Sequence, residues 1–290
     1  MQFLLIFKKE EEKLKEKEHI KEVEHYYNTT VLEEWNRIDN RPEFLLTCRM
    51  LERYIRANDK VLDIGGGPGR YSLHLAEKGC NVTLFDLSSE NVNFAMDIAA
   101  KENLSIKGIV GDAREVNRLI NEQLTDEKFN HILLMGPMYH LLEEEDRIQS
   151  IQSALKLLKP GGLIFISFIN LFAGFIFCMK FAPEMIRSTE APEIEYRECN
   201  VTKKSYSGDA FTKAFLIHQE DILPFMEQFP LEKLHLFGQE GITSPCEENI
   251  MSQPQEVIDG WLDFCEKTWE REDFLSWSEH LMYVGRRLPD

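Results

Sequence analysis

The chain has 290 residues, 43% of them hydrophobic and 29% charged, with 33 Lys and Arg against 50 Asp and Glu for a formal net charge of −17. That balance excludes a nucleic-acid groove, which needs clustered cations to displace counterions, and argues against docking on anionic membranes. The apolar content suffices for a sizeable core, in one large domain or two small ones. Six well-spaced cysteines without a C-x-x-C pair point to a reducing, cytoplasmic setting and to no zinc or dithiol motif.

Met1–Phe7 is apolar but lacks a basic flank and a cleavage site, so no leader is expected. Residues 8–56 read as helical, with Tyr26, Tyr27, Trp35, Phe44, Leu45 and Leu46 as apolar anchors. From residue 60, short β-rich runs alternate with amphipathic helices, the signature of a parallel α/β sheet. Strands are expected at 60–64, 82–85, 106–110, 131–135 and 163–169. Helices fall between them at 71–78, from Ser88 as N-cap to about 102, at 114–123 and at 143–158. The apolar run 163–179 is almost long enough to span a bilayer, but a Pro-Gly-Gly turn precedes it and Ser167 and Asn170 interrupt it. It reads as a buried strand followed by a short apolar segment. Residues 171–213 show no periodicity and read as an insertion over the sheet edge. A helix near 221–228, a strand at 231–237, a helical region at 255–269 and a last strand at 280–286 complete the chain.

Val61–Ala76 reads VLDIGGGPGRYSLHLA. An apolar strand ends in an acid, Gly65, Gly67 and Gly69 alternate, and a helix opens. Glycines let the backbone turn sharply and approach a ligand, and the helix start offers free N–H groups. A dinucleotide-binding G-x-G-x-x-G would need glycine at position 70, which is Arg70.

The alternating pattern after an acid resembles motif I of the class I S-adenosylmethionine (SAM)-dependent methyltransferases. Four further segments follow in the family's order, each beside a strand of the expected sheet. The resemblance implies an α/β, Rossmann-like fold: a seven-stranded, mostly parallel sheet with flanking helices and an antiparallel last strand. It implies a helical arm or lid over residues 1–57, a methyltransferase domain over 58–290 and a cap insertion over 171–213. It also implies SAM as cofactor. Asp86, 23 positions after Asp63, would bond both ribose hydroxyls, with Leu87 beside it. Asp112 would accept the adenine amine in Gly111-Asp112-Ala113. Met135 and Gly136 would pack around the methionyl part, and Leu157–Gly162 matches the turn before the fifth strand. Gly65, Gly66, Gly67 and Gly69 would approach the cofactor. Asp63 orients the loop or reaches the SAM amino group through water. Arg70 approaches the SAM carboxylate or sits at the helix start, and Tyr27 belongs to the lid.

On the acceptor side, Leu134–Leu142 (LMGPMYHLL) resembles a bacterial subgroup of small-molecule methyltransferases. His140 is the candidate general base and Tyr139 a pocket wall or second catalytic group. His218 is a loop histidine without a special role. The Asn/Asp-Pro-Pro-aromatic motif for nucleic-acid amines is missing, as is a Pro-Cys nucleophile. The expected activity is S_N2 methyl transfer to an O, N or S atom of a small molecule, without nucleic acid, membrane or metal. Alternatives are a protein methyltransferase and a SAM-binding regulatory partner without catalysis. Aminopropyl transfer would need acids after the fourth strand, and Met135–Leu142 has none.

Overall fold

The computed structural model describes residues 2–289, with side chains from residue 16 onward. The side chains of Met1–Phe7, read above as apolar, lie outside the described residues. Three helices open the chain: α1 (Gln2–Thr29), α2 (Val31–Arg37) and α3 (Pro42–Tyr54). The alternating part follows as β1 (Lys60–Ile64), α4 (Arg70–Glu77), β2 (Asn81–Asp86), α5 (Ser89–Lys101), β3 (Ile106–Val110), α6 (Val116–Leu124), β4 (Phe129–Leu134), α7 (Glu144–Leu155) and β5 (Leu158–Ile169). Then come α8 (Ala173–Phe181), α9 (Ala191–Thr202), a hairpin of β6 (Tyr206–Asp209) and β7 (Lys213–Leu216), and α10 (Gln219–Met226). The chain closes with β8 (Leu231–Gly238), α11 (Glu247–Met251), α12 (Gln255–Thr268), α13 (Glu272–Leu275) and β9 (His280–Arg287).

Among the described residues, seven strands form one sheet in the order β3-β2-β1-β4-β5-β9-β8. Only β9 runs against its neighbours, pairing antiparallel with both β5 and β8. The central strands are covered on both faces, which is why β1, β4 and the second half of β5 are almost wholly buried and carry mostly Val, Leu, Ile and Phe. One face packs Val116, Ile120, Ile151, Ala154, Ile222 and Met226 of α6, α7 and α10 against the sheet. The other carries Leu46, Leu51, Leu73, Ala95, Ala99 and Leu262 of α3, α4, α5 and α12. The fold is therefore the Rossmann-like class I methyltransferase architecture that the motifs imply. Among the described residues no helix is long and apolar enough to cross a membrane.

The largest departure from the expected elements is in residues 171–213. They hold α8, a 3-10 segment at Pro183–Arg187, α9 and most of the β6–β7 hairpin. Helix α8 (AGFIFCMKF) is apolar around most of its circumference, so it carries no 3.6-residue signal. A bridge between Asn170 and Ile217 ties the end of β5 to the residue after the hairpin. Strand β5 also begins earlier than expected, running through Lys159–Gly162.

Candidate active site

The strand order reverses between β1 and β4, and the loops after β1 to β4 meet over the strands' carboxyl ends, where such sheets hold ligands. Gly65 and Gly67 turn the first loop with φ of 71° and 56°. A Cβ on Gly65 would strike Pro137 Cδ at 2.4 Å, so glycine here lets two loops touch. A Cβ on Gly67 would meet nothing nearer than 4.0 Å, so its backbone faces open space. Gly69 differs: its Cβ would meet Ala95 Cβ at 2.7 Å. It serves close packing of the α4 start against α5, and it does not line the cavity described next.

A cavity of about 140 Å³ opens over this loop. Its wall includes Tyr27, Asp63, Gly65, Gly66, Gly67, Arg70, Asp86, Leu87, Asp112, Ala113, Met135, Gly136, Tyr139 and His140, so Gly69 alone of the sequence-picked residues stands outside it. Asp86 accepts from the backbone N–H of Gly67 at 2.8 Å and of Ser88 at 2.9 Å, which holds the loop and the α5 start together. Ser88 caps α5, accepting from Asn91 N. Burial raises the Asp86 pKa above its usual range, against the pull of those N–H groups.

Asp63 is fully buried. Its Oδ2 accepts from Ser72 Oγ at 2.8 Å, so this bond holds α4 rather than a loop N–H. Among the described residues its Oδ1 has no partner, nor does Asn91 Oδ1. Burial raises Asp63 to about 7, with Ser72 opposing and Asp86 adding to the shift. Arg70 stacks on Trp35 at 3.5 Å, donates to the Trp35 carbonyl and pairs with Asp39 at 3.0 Å. Asp112 accepts from the Arg114 backbone N–H, and its carboxylate is forked by the Arg114 guanidinium, which also reaches Glu16 and Asp146. Most of the Asp112 lone pairs are thus committed.

Helix α1 closes this cavity with Ile20, Val23 and Tyr27. The Tyr27 hydroxyl lies 2.7 Å from His140 Nε2, and Thr212 Oγ1 lies 3.4 Å from His140 Nδ1. Thr212 donates to the Lys213 carbonyl, so its oxygen faces His140 as acceptor. That assigns the proton to Nδ1 and makes Tyr27 the donor to Nε2. Burial, with His19 adding, pushes His140 down to about 3. It is therefore a neutral acceptor at physiological pH and a weak base, which argues against the general-base role expected from sequence. His19 Nε2 donates to the His140 carbonyl, and Asn28 Oδ1 accepts from Ser88 Oγ at 2.6 Å.

Behind Tyr139 lies an outer chamber of about 850 Å³, walled by α8, α9, the β6–β7 hairpin and the 3-10 segment. Tyr27, Glu34, Arg37, Tyr139 and His280 line both spaces and mark their junction. His280 is the residue sequence reading missed. Its Nδ1 donates to Glu240 Oε1 at 2.6 Å, its backbone N–H donates to Glu240 Oε2 at 3.0 Å, and Glu43 Oε2 lies 3.8 Å away. Burial opposes its charge, but Glu43 and Glu240 raise it to about 9. Burial also opposes the charge on Glu43, whose carboxyl Arg37 and His280 nevertheless hold below the usual range. Nothing local signals this group, because its members come from α2, α3, the turn after β8 and the start of β9. His218, by contrast, caps α10 by accepting from Glu220 N.

Residues 61–162 match the family model described as a methyltransferase domain. A ubiquinone biosynthesis O-methyltransferase of Actinobacillus pleuropneumoniae serotype 7 is 36% identical over 115 residues, covering 38% of this chain and 46% of that protein. The chain thus spans about half the length of the curated relatives it matches. Among solved structures, the 1,6-didemethyltoxoflavin-N1-methyltransferase of Burkholderia thailandensis superposes with a TM-score of 0.56 at 11% identity, over 92% of this chain and 88% of that one. The [4+2]-cyclase SpnF superposes with a TM-score of 0.51 at 17% identity, over 85% and 81%. At such identities these structures establish the fold alone.

Proposed function

Residues 61–162 match the methyltransferase-domain family model, and from that premise we propose that the chain is a SAM-dependent methyltransferase acting on a small molecule. The observation that carries the reading is the donor–acceptor balance of the inner cavity. Asp63 Oδ1 and Asn91 Oδ1 are buried acceptors without donors, and the lining carboxylates Asp63, Asp86 and Asp112 offer nothing to a phosphate. SAM matches that set: it brings an amino group and two ribose hydroxyls as donors, a positive sulfonium and no phosphate. NAD, with its pyrophosphate, does not.

When bound, SAM supplies a methyl group already activated on sulfonium. The protein is left to bind, align and exclude water. In this reading Asp86 keeps its loop bonds and takes the ribose hydroxyls on its remaining lone pairs. Gly65 and Gly67 bring backbone close to the ligand. Asp63 and Asn91 take the remaining donors. Asp112 faces the base with little free capacity, since Arg114 holds it. Helix α1 covers the site, with Tyr27 anchored on His140. The acceptor enters from the outer chamber, so its nucleophile stands at the junction among Tyr27, Glu34, Arg37, Tyr139 and His280. There His280 keeps its proton on Nδ1 toward Glu240, and Tyr139 forms the wall between the two spaces.

Incubation of the protein with trideuteromethyl-SAM and a metabolite extract tests the reading. A product in which a CD3 group replaces one hydrogen of a consumed metabolite is expected. Cofactor binding without any labelled product would instead favour a regulatory SAM-binding role.

A further inference from the structure

The outer chamber has a volume of about 850 Å³, within the range of roughly 300–1,000 Å³ that buries a molecule of drug size. Aromatic rings form one of its walls. Tyr196 packs on Phe175 and on Tyr206, each with ring centroids 5.3 Å apart, and the Tyr196 hydroxyl is spent on the Leu171 carbonyl.

The charges of the chamber are unevenly satisfied. Each cation on its wall is already engaged. Arg37 pairs with Glu34 and Glu43, Arg197 donates to the Ser188 carbonyl at 2.7 Å, and His280 holds Glu240. Among the acids, Glu279 is met by Lys180 and Ser244. Glu193 is different. It lines the chamber from the first turn of α9, and among the described residues its buried Oε2 has no hydrogen-bond partner. Among the described residues neither Glu193 nor Asp209 enters an ion pair, and both lie near enough to the Tyr206 hydroxyl to raise its pKa, alongside burial and Glu195. A buried carboxylate oxygen without a donor is costly unless a ligand supplies one. Aromatic faces beside it suit a positive head, through attraction to the ring quadrupole.

We propose that the outer chamber selects an amphipathic amine, its apolar body between the aromatic and aliphatic walls and its ammonium head on Glu193. This deepens the methyltransferase reading and rests on it only in calling that amine the methyl acceptor. The ammonium completes the Glu193 hydrogen bonding, the rings of Tyr196, Tyr206 and Phe175 shield it, and Asp209 adds long-range attraction at the mouth. An anionic acceptor meets carboxylates that no cation of the chamber neutralises. A neutral alcohol of equal shape offers Glu193 a single uncharged donor and no opposite charge.

Three probes with one body and different heads test the proposal on the full chain: 4-phenylbutylammonium, 4-phenylbutan-1-ol and 4-phenylbutanoate. Their dissociation constants are measured by ligand-observed NMR at neutral pH. The ammonium is expected to bind about tenfold tighter than the alcohol, and the carboxylate weakest. Glu193→Gln brings the ammonium level with the alcohol and leaves the alcohol unchanged. Added salt narrows the preference in the parent protein, a check that needs no variant. Equal affinity of ammonium and alcohol, a tighter carboxylate, no binding by any probe, or a preference that survives Glu193→Gln overturns the proposal. S-adenosylhomocysteine binding is measured separately. If it binds and the amine preference is absent, only the amine proposal fails. If it does not bind and the preference holds, only the methyltransferase reading fails.

Discussion

Asp63 ties β1 to α4 through Ser72 and is the clearest titrating group of the inner cavity. Burial lifts its pKa from the ordinary 3.8 to about 7. The folded chain therefore keeps this proton up to about pH 7, while the unfolded chain releases it near pH 4. Folded stability falls as pH rises through that window. Asp63→Asn retains an acceptor for Ser72 and removes the titration. Its melting temperature is expected to gain on the parent's progressively from pH 4 to pH 8, followed by thermal denaturation; a difference independent of pH contradicts the buried-charge account. Single residues were legible in the sequence where the motif is local. Gly65, Gly67 and Asp86 sit on the cavity because a strand end and a helix start bring them there within a few positions. His140 was picked for its chemistry, and burial, which depends on α1 folding back, makes it a poor base. His280 became visible only through Glu43 and Glu240, which join it from distant segments.

Helix α1 acts on the site as a unit. Its contacts with the loops after β2 and β4 run through His19, Tyr27 and Asn28. Asn28→Ala removes the acceptor for Ser88 Oγ and for the Glu90 N–H but leaves Ser88 capping α5. Amide exchange across residues 20–29 is expected to rise about fivefold, the equivalent of about 1 kcal/mol of hydrogen bonding. Exchange unchanged in hydrogen-exchange mass spectrometry contradicts a clasp at this point. The elements from β1 to β5 were readable because strand and helix periods differ and Gly or Ser marks their ends. Helix α8 was not readable, since a helix apolar on nearly every side carries no period. The hairpin β6–β7 spans only four residues a strand, with few β-branched side chains.

At the scale of the whole molecule, the sheet order places four loops at one switch point, and the net charge of −17 takes on a local meaning there. Both the inner cavity and the outer chamber are acid-rich, and the ligands assigned to them are cations without phosphate. The sequence motifs were enough to expect seven strands and an antiparallel β9. The chamber was not foreseeable, because its walls come from the segment without periodicity. Calorimetric titration with S-adenosylhomocysteine, with NAD as comparison, on the parent and on Asp86→Ala, tests the cofactor claim on which the rest stands. Saturable one-to-one binding of S-adenosylhomocysteine, no heat with NAD and a roughly 30-fold loss in the variant are predicted, from hydrogen bonds to a charged acceptor worth about 2 kcal/mol. Binding of NAD without S-adenosylhomocysteine, or an affinity indifferent to Asp86→Ala, would contradict it.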